Sequence, residues 1–195
     1  MNRFGTHFRI ALWGESHGPQ IGIVLDGVPA GIALAAEDFE TDLARRRSGT
    51  TGTTPRHEPD VPQIVSGVYR GHTTGAPITI EFANANTRPQ DYNATEGHDR
   101  PSHADRTAYG KFDGWNDPRG GGHFSGRLTV ALVAAGVVAK KMLPVGIAYT
   151  TRIAEIGGCT EPERFDEILR GAAEQKDSVG GVVECRVQGV PAGIG

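Results

Sequence analysis

The chain has only two cysteines, Cys159 and Cys185, which stand far apart and outside any CxxC pairing. A disulfide framework or a zinc knuckle therefore has little support, and free thiols are expected. No apolar run approaches the roughly 18 residues of a membrane span, and the start, MNRFGTHFRI, lacks the apolar stretch of a signal peptide. A cytoplasmic protein without membrane contact is the expectation. The motifs GxGxxG, GxxxxGK[ST] and HExxH are absent, so dinucleotide, nucleoside-triphosphate and zinc-protease readings fail. Excess positive charge is also lacking. A formal net charge of −3 argues against a general nucleic-acid surface, although a local basic cluster could still grip a small anion.

Glycine is what the chain has in abundance, with 28 of 195 residues. It implies tight turns and places where backbone approaches a ligand closely. With 37% hydrophobic residues the chain can bury a core, as one domain or a large piece of one. FRIALW and IGIVLDG read as two strands joined by the turn GESHGPQ, and QIVSGVY and APITIEF as further strands. AAEDFETDLARRR reads as a short amphipathic helix, with Phe39 and Leu43 four apart, acids early and three arginines at its end. LTVALVAAGVVAKKML reads as a buried helix, with Ser125 as N-cap and Pro144 as stop. Thr160 and Glu163 suggest a capping box for a surface helix striped by Phe165, Ile168, Leu169 and Ala172. The polar segment 84–124 reads as a long loop, of the kind that is functional or disordered.

One hexapeptide occurs twice. GVPAGI fills 27–32 and recurs at 189–194, each copy after a strand-like run, which suggests two related halves. In register, Ser16 pairs with Ser178, Gly18 with Gly180, and His17 with Val179. The first copy leads into a helix and the chain stops one residue after the second, so an N-terminal piece of a larger protein is expected. A lone histidine is more often structural than catalytic. Here the repeat supplies a counterpart without it, which favours a functional role for His17.

Three constellations carry chemistry. WGESHGPQ presents Glu15, Ser16 and His17 directly after a strand. RPSHAD places Arg100, His103 and a possible orienting carboxylate, Asp105, within one turn. RGGGHFSGRLT puts three glycines before Ser125 at a helix start, a nest of backbone amides suited to an anion, with Arg127 adding charge. Each alone has a bland alternative: a flexible turn, a solvated Arg45–Arg46–Arg47 face, or a metal site at His98, His103 and Asp105.

In order, GESHG, DGVPAG, DLARRRSG, SGVYRGHTTGAPI, RPSHAD, RGGGHFSGRLT and DSVGGVVECRVQGVPAGIG resemble the chorismate synthase family along essentially the whole chain. The last motif lies near the middle of the family's sequence. The resemblance implies an α+β fold of antiparallel sheets packed with helices, in two similar halves. Residues of about 1–145 would form the first half and 146–195 the start of an incomplete second, all within one domain. It implies a lyase of the shikimate pathway of aromatic amino acid biosynthesis. Such an enzyme converts 5-enolpyruvylshikimate 3-phosphate to chorismate by 1,4-anti elimination of phosphate, using reduced FMN without net redox change. NADPH is a candidate flavin reductant and a homotetramer the expected assembly.

The resemblance also carries over roles. His17 would protonate the reduced flavin and His103 would lie by the leaving phosphate. Arg47, Arg100 and Arg127 would clamp substrate anions, with Ser16, Ser125 and Gly126 as further substrate contacts. Arg46 and the segment of His123, Phe124 and Ser125 would lie near the flavin. Departures are visible too: the family usually reads RGGGRSSARET where this chain has RGGGHFSGRLT, an arginine common after the triple-arginine run is missing from 50–54, and 157–177 is short. The competing reading is a non-catalytic piece that keeps only an anion-binding or assembly surface.

Overall fold

Ile21, Ile23 and Leu25 alternate along the chain, and an extended backbone places alternate side chains on one face. They lie in a strand, β3 (Gln20–Asp26), and all three are fully buried. The computed structural model describes residues 2–48, 53, 56–87, 98–101 and 103–194. It divides into two compact units, Met1–Arg47 with His57–Met142, and Ser48–Arg56 with Leu143–Gly195.

In the first unit β3 lies at the centre of an antiparallel sheet. Its neighbours are β2 (Arg9–Gly14), itself edged by β1 (Arg3–Phe4), and a later strand, Ile78–Ala83, edged by β4 (Gln63–Ser66). QIVSGVY is not one strand. Gly67 breaks it at φ +81°, where an added Cβ would meet the Ile78 backbone at 2.7 Å, and a small separate ribbon follows, β5 (Val68–Tyr69) with β6 (His72–Thr73). The strand Ile78–Ala83 is thus β7, and Ile78, Ile80 and Phe82 join the buried face of β3.

Helices close that face. AAEDFETDLARRR forms a 3-10 turn, Ala36–Phe39, then α1 (Glu40–Arg46), with Phe39 and Leu43 buried and Arg47 just beyond the end. The polar segment 84–124 is not wholly loop, because it contains a short helix, α2 (Asp105–Lys111). The apolar helix α3 (Thr129–Met142) packs on β3, β7 and α1 and buries Val130, Ala134, Val137 and Val138. Ser125 caps as expected, but it caps a 3-10 turn, Gly126–Leu128, that precedes α3.

The second unit holds one antiparallel hairpin, β8 (Ala148–Ile156) with β9 (Gly181–Gln188), and between them α4 (Phe165–Glu174). The apolar stripe of α4 is as expected: Phe165 is buried, and Ile168, Leu169 and Ala172 are half-buried. The capping box of Thr160 and Glu163 does not form. Pro162 opens a 3-10 turn, Pro162–Arg164, which makes Glu161 the N-cap residue, and no side chain caps it. Ile153, Val182, Val183 and Val187 stand exposed on the hairpin, and Cys159 and Cys185 are free thiols.

The repeated hexapeptide has repeated geometry. Gly27 and Gly31 take φ +83° and +88°, and Gly189 and Gly193 take +75° and +89°. A Cβ on Gly27 would strike the His7 carbonyl oxygen at 2.0 Å, and one on Gly189 the Gly146 carbonyl oxygen at 2.5 Å. Both corners therefore require glycine. At the other end of the hairpins the match stops. Five residues, 15–19, join β2 to β3, whereas 157–180, with α4, join β8 to β9. His17 and Val179 thus sit in differently built connections, so the repeat is not the like-for-like comparison expected for His17.

Candidate functional site

The site is built where β2 ends. Gly14 at φ +94° releases the chain from the sheet, and the 15–19 turn closes with the Gly18 amide donating to the Glu15 carbonyl at 3.1 Å. Ser16 is fully buried, its amide bonded to the Gly122 carbonyl at 3.0 Å, and its hydroxyl shares a 3.0 Å hydrogen bond with His17 Nδ1.

The glycine run then meets the turn. A Cβ on Gly120, itself at φ +59°, would lie 2.4 Å from His17 Cε1 and 3.1 Å from Ser16 Oγ. Only glycine lets this backbone run against the imidazole. The Gly120 carbonyl also accepts from Arg100 Nη2, which joins the second constellation to the first. Arg100 grips Asp105 with Nε and Nη2, both at 2.7 Å, and His103 Nδ1 donates to Asp105 at 2.6 Å. Hydrogen bonds from Arg100 hold the Asp105 carboxyl well below the usual carboxylate range, against the opposing effect of burial, and the His103 bond adds to the lowering. With Nδ1 committed to the Asp105 carboxylate, Nε2 is the ring nitrogen turned away from that pair.

His123 Nδ1 donates to the Gly14 carbonyl at 2.9 Å, which ties the third constellation to the end of β2. Phe124 is half-exposed, edge-on to His123 and tilted against Phe112 at 6.4 Å between ring centres. Ser125 backs onto Gly121, where a Cβ would meet the serine Cβ at 2.8 Å.

Beneath the turn lies a group that sequence reasoning missed. Asp60, buried to 1%, accepts from Arg127 Nη1 through Oδ1 and from Arg46 Nη1 through Oδ2 at 3.0 Å. Arg46 reaches on to the carbonyls of Gly126 and Arg127. Arg127 is buried, and its Nε donates to Asn84 Oδ1 at 3.0 Å. Two guanidiniums share one carboxylate, so the group carries one positive charge in excess. Asp117 and Arg119 form a further pair. Arg119 lowers the Asp117 carboxyl against burial, helped by the charge of nearby His17, and Asp117 with Glu15 raises Arg119.

Hydrogen bonds and close packing therefore link Ser16, His17, Arg46, Arg100, His103, His123, Phe124, Ser125, Gly126 and Arg127. Arg47 lies exposed past α1, and Ser102 and most of 50–54 fall outside the described residues. Among the described residues no three His, Cys, Asp or Glu side chains are placed to share a metal ion, and no helix is long and apolar enough to cross a membrane.

An antiparallel α+β frame thus gathers histidines and arginines at one strand end. The family model for chorismate synthase matches residues 8–195, and the chain belongs to that family. It is 54% identical to a chorismate synthase of Chitinophaga pinensis, covering all of this chain and 58% of that protein. It is 44% identical to one of Ignicoccus hospitalis, covering all of this chain and 57% of that protein. A crystal structure of a chorismate synthase superposes with a TM-score of 0.71 at 25% identity, over 95% of this chain and 59% of the other. The chain spans under two thirds of the length of these relatives.

Proposed function

We propose that the chain supplies the proton-donating and anion-binding half of a cytoplasmic chorismate synthase of the shikimate pathway. The enzyme eliminates phosphate from 5-enolpyruvylshikimate 3-phosphate, and a homotetramer is the proposed assembly. The observation that carries this is the meeting of His17 with Arg100, His103 and Asp105 across Gly120, in a chain of this family. The elimination breaks a C–H and a C–O bond, forms a C=C bond and releases phosphate, so it needs cations for the anions and acids of near-neutral pKa, about 6.5 for histidine. His103, oriented by Asp105 through Nδ1, presents its Nε2 proton toward the departing phosphate. Arg47, Arg100 and Arg127, with Ser16, Ser125 and the Gly126 backbone, bind the substrate anions, and Arg46 shares the excess positive charge that favours them.

The residues present also fit reduced FMN, a flat and anionic group. Phe124 offers a half-exposed ring, His123 and Ser125 lie beside it, and Arg46 supplies charge. Bound there, reduced FMN would supply electron density to the substrate and take up the departing hydrogen, ending each turnover reduced, so that NADPH would serve only to reduce flavin that enters the site oxidised. His17, hydrogen-bonded to Ser16, holds the proton given to the flavin side of the site.

The test is anaerobic chorismate formation with reduced FMN by the family-length enzyme carrying this chain. His17→Ala and His103→Ala should each lower turnover by roughly 10²–10⁴-fold, the range for a lost proton donor, while the melting curve stays near the parent's. Parental turnover in both variants would show the imidazoles to be idle. A binding-only piece would retain phosphate protection against heat with no turnover at all.

A further inference from the structure

Asn84 follows β7 and holds the turn that carries His17. Its side-chain amide donates to two turn carbonyls, Gly18 at 2.9 Å and Glu15 at 3.0 Å. Its backbone amide donates to a third, Pro19, at 3.0 Å. The orientation of the amide group is fixed by its partners. Arg127 Nε can only donate, so Oδ1 must face it, and the two carbonyls can only accept, so Nδ2 must face them.

Arg127 is held in turn. Asp60 takes Nη1 and the Ala83 carbonyl takes Nη2 at 3.3 Å, on the residue next to Asn84. Asp60 sits in the left-handed region at φ +51°, which an aspartate tolerates better than most side chains, and it is locked from its other side by Arg46. The chain of contacts from Arg46 through Asp60, Arg127 and Asn84 thus ends on the backbone on both sides of Ser16 and His17. Every bond in it is directional, so the chain of contacts favours a single position of the turn.

We propose that Asn84, held by Arg127 and Asp60, is a positioning residue that fixes the turn presenting Ser16 and His17 to substrate. The proposal rests on the reading of His17 given above. It differs from a packing role because Asn84 acts by donated hydrogen bonds: a side chain of equal volume that cannot donate will not replace it. A misplacement on the order of 1 Å at a reacting group can cost 10²-fold in rate, so small loosening of this turn matters.

Asn84→Asp is the discriminating variant. It keeps the volume and the acceptor for Arg127 Nε and removes both donors. NMR of the protein should show the His17 ring signal and the Ser16 and Gly18 amide signals shifted in this variant, with Ile21 and Ile80 unmoved. Gln20→Ala removes a bond to Glu81 at the same end of β3 and serves as the control for a merely structural effect. It should leave His17 in place. In the family-length enzyme Asn84→Asp should lower kcat on the order of 10- to 100-fold, with KM nearly constant. If His17 and Ser16 signals stay put in Asn84→Asp, or move equally in Gln20→Ala, the proposal is overturned. Should Asn84→Asp fail to fold, the parent decides: both Asn84 side-chain amide protons must exchange with solvent far more slowly than those of an exposed asparagine, and equal rates overturn the proposal. The two readings fail separately. Displaced His17 signals together with parental turnover of His17→Ala would leave the clasp standing and remove the role of His17.

Discussion

Two hairpins, β2–β3 and β8–β9, finish on the same glycine corner and diverge at the opposite end. The first closes with five residues whose carbonyls are held by Asn84, whose Ser16 is buried and whose His17 lies against Gly120. The second opens into a helix-bearing connection, and its ion pairs, Arg152 and Arg186 with Glu184, are exposed. The corner is a requirement of strand geometry, so it is shared. The polar lock is not required to make a hairpin, and it occurs where the candidate chemistry is. Duplicated backbone with unduplicated polar contacts separates what folds the chain from what the site needs.

The sharpest way to break this contrast is to remove one carboxylate from each hairpin's surroundings. Asp60→Ala leaves Arg127 buried without its carboxylate, which should cost about 3–5 kcal/mol, read as the loss of urea-unfolding free energy. Glu184→Ala, which strips partners from two exposed arginines, should leave that free energy where it was. Equal losses would mean that the buried group is no more structural than the surface one.

Glycine substitutions come next. Gly120→Ala and Gly158→Ala both force alanine into left-handed backbone, φ +59° and +82°, at about 1–2 kcal/mol each. Gly158 has open space for the new methyl, whereas at Gly120 it meets the imidazole. Gly120→Ala should therefore be the less stable of the two and should alone displace the His17 NMR signal.

Acid titration is a smaller effect. The folded-state pKa of Asp105 is depressed, so its contribution to stability is present above the unfolded value of about 3.9 and is lost as pH falls through it toward the lower folded value. Asp105→Asn should flatten the acid limb of the stability curve between about pH 5 and pH 2. Glu184 is also depressed, by its hydrogen bond from Arg152 and then Arg186, whose side chains are 62% and 70% exposed against 37% for Arg100, so high salt should weaken its share more than that of Asp105. The smallest change is expected from Val179→His. Placing an imidazole in the long connection should move stability by less than about 0.5 kcal/mol and turnover not at all.

Much of this was legible along the chain. Alternating isoleucines announced β3, the apolar run announced α3, and GESHG, RPSHAD and RGGGHFSGRLT named the residues that meet at the site. Asp60 and Asn84 were not legible. Asp60 acts on Arg127 across 67 positions and Asn84 on Gly18 across 66, and no local spacing encodes a pairing at that range. The helix α2 escaped because DRTAYGK buries only Ala108 and has no apolar stripe to announce it. The helical turn that leads into α4 starts one residue later than the capping box implied, because proline at its first position outweighs a threonine that could cap.

The distant origin of the clasp sets an order of events. The hairpin β2–β3 can zip from contacts within its own stretch, but its turn gains its final bonds only when residues from beyond β7 and from the 3-10 turn before α3 have come home. Asn84→Asp should therefore speed unfolding while leaving the refolding rate nearly unchanged, the kinetic mark of contacts made after the barrier is crossed. The place where His17 is aimed would then be the last part of its unit to set and the first to loosen.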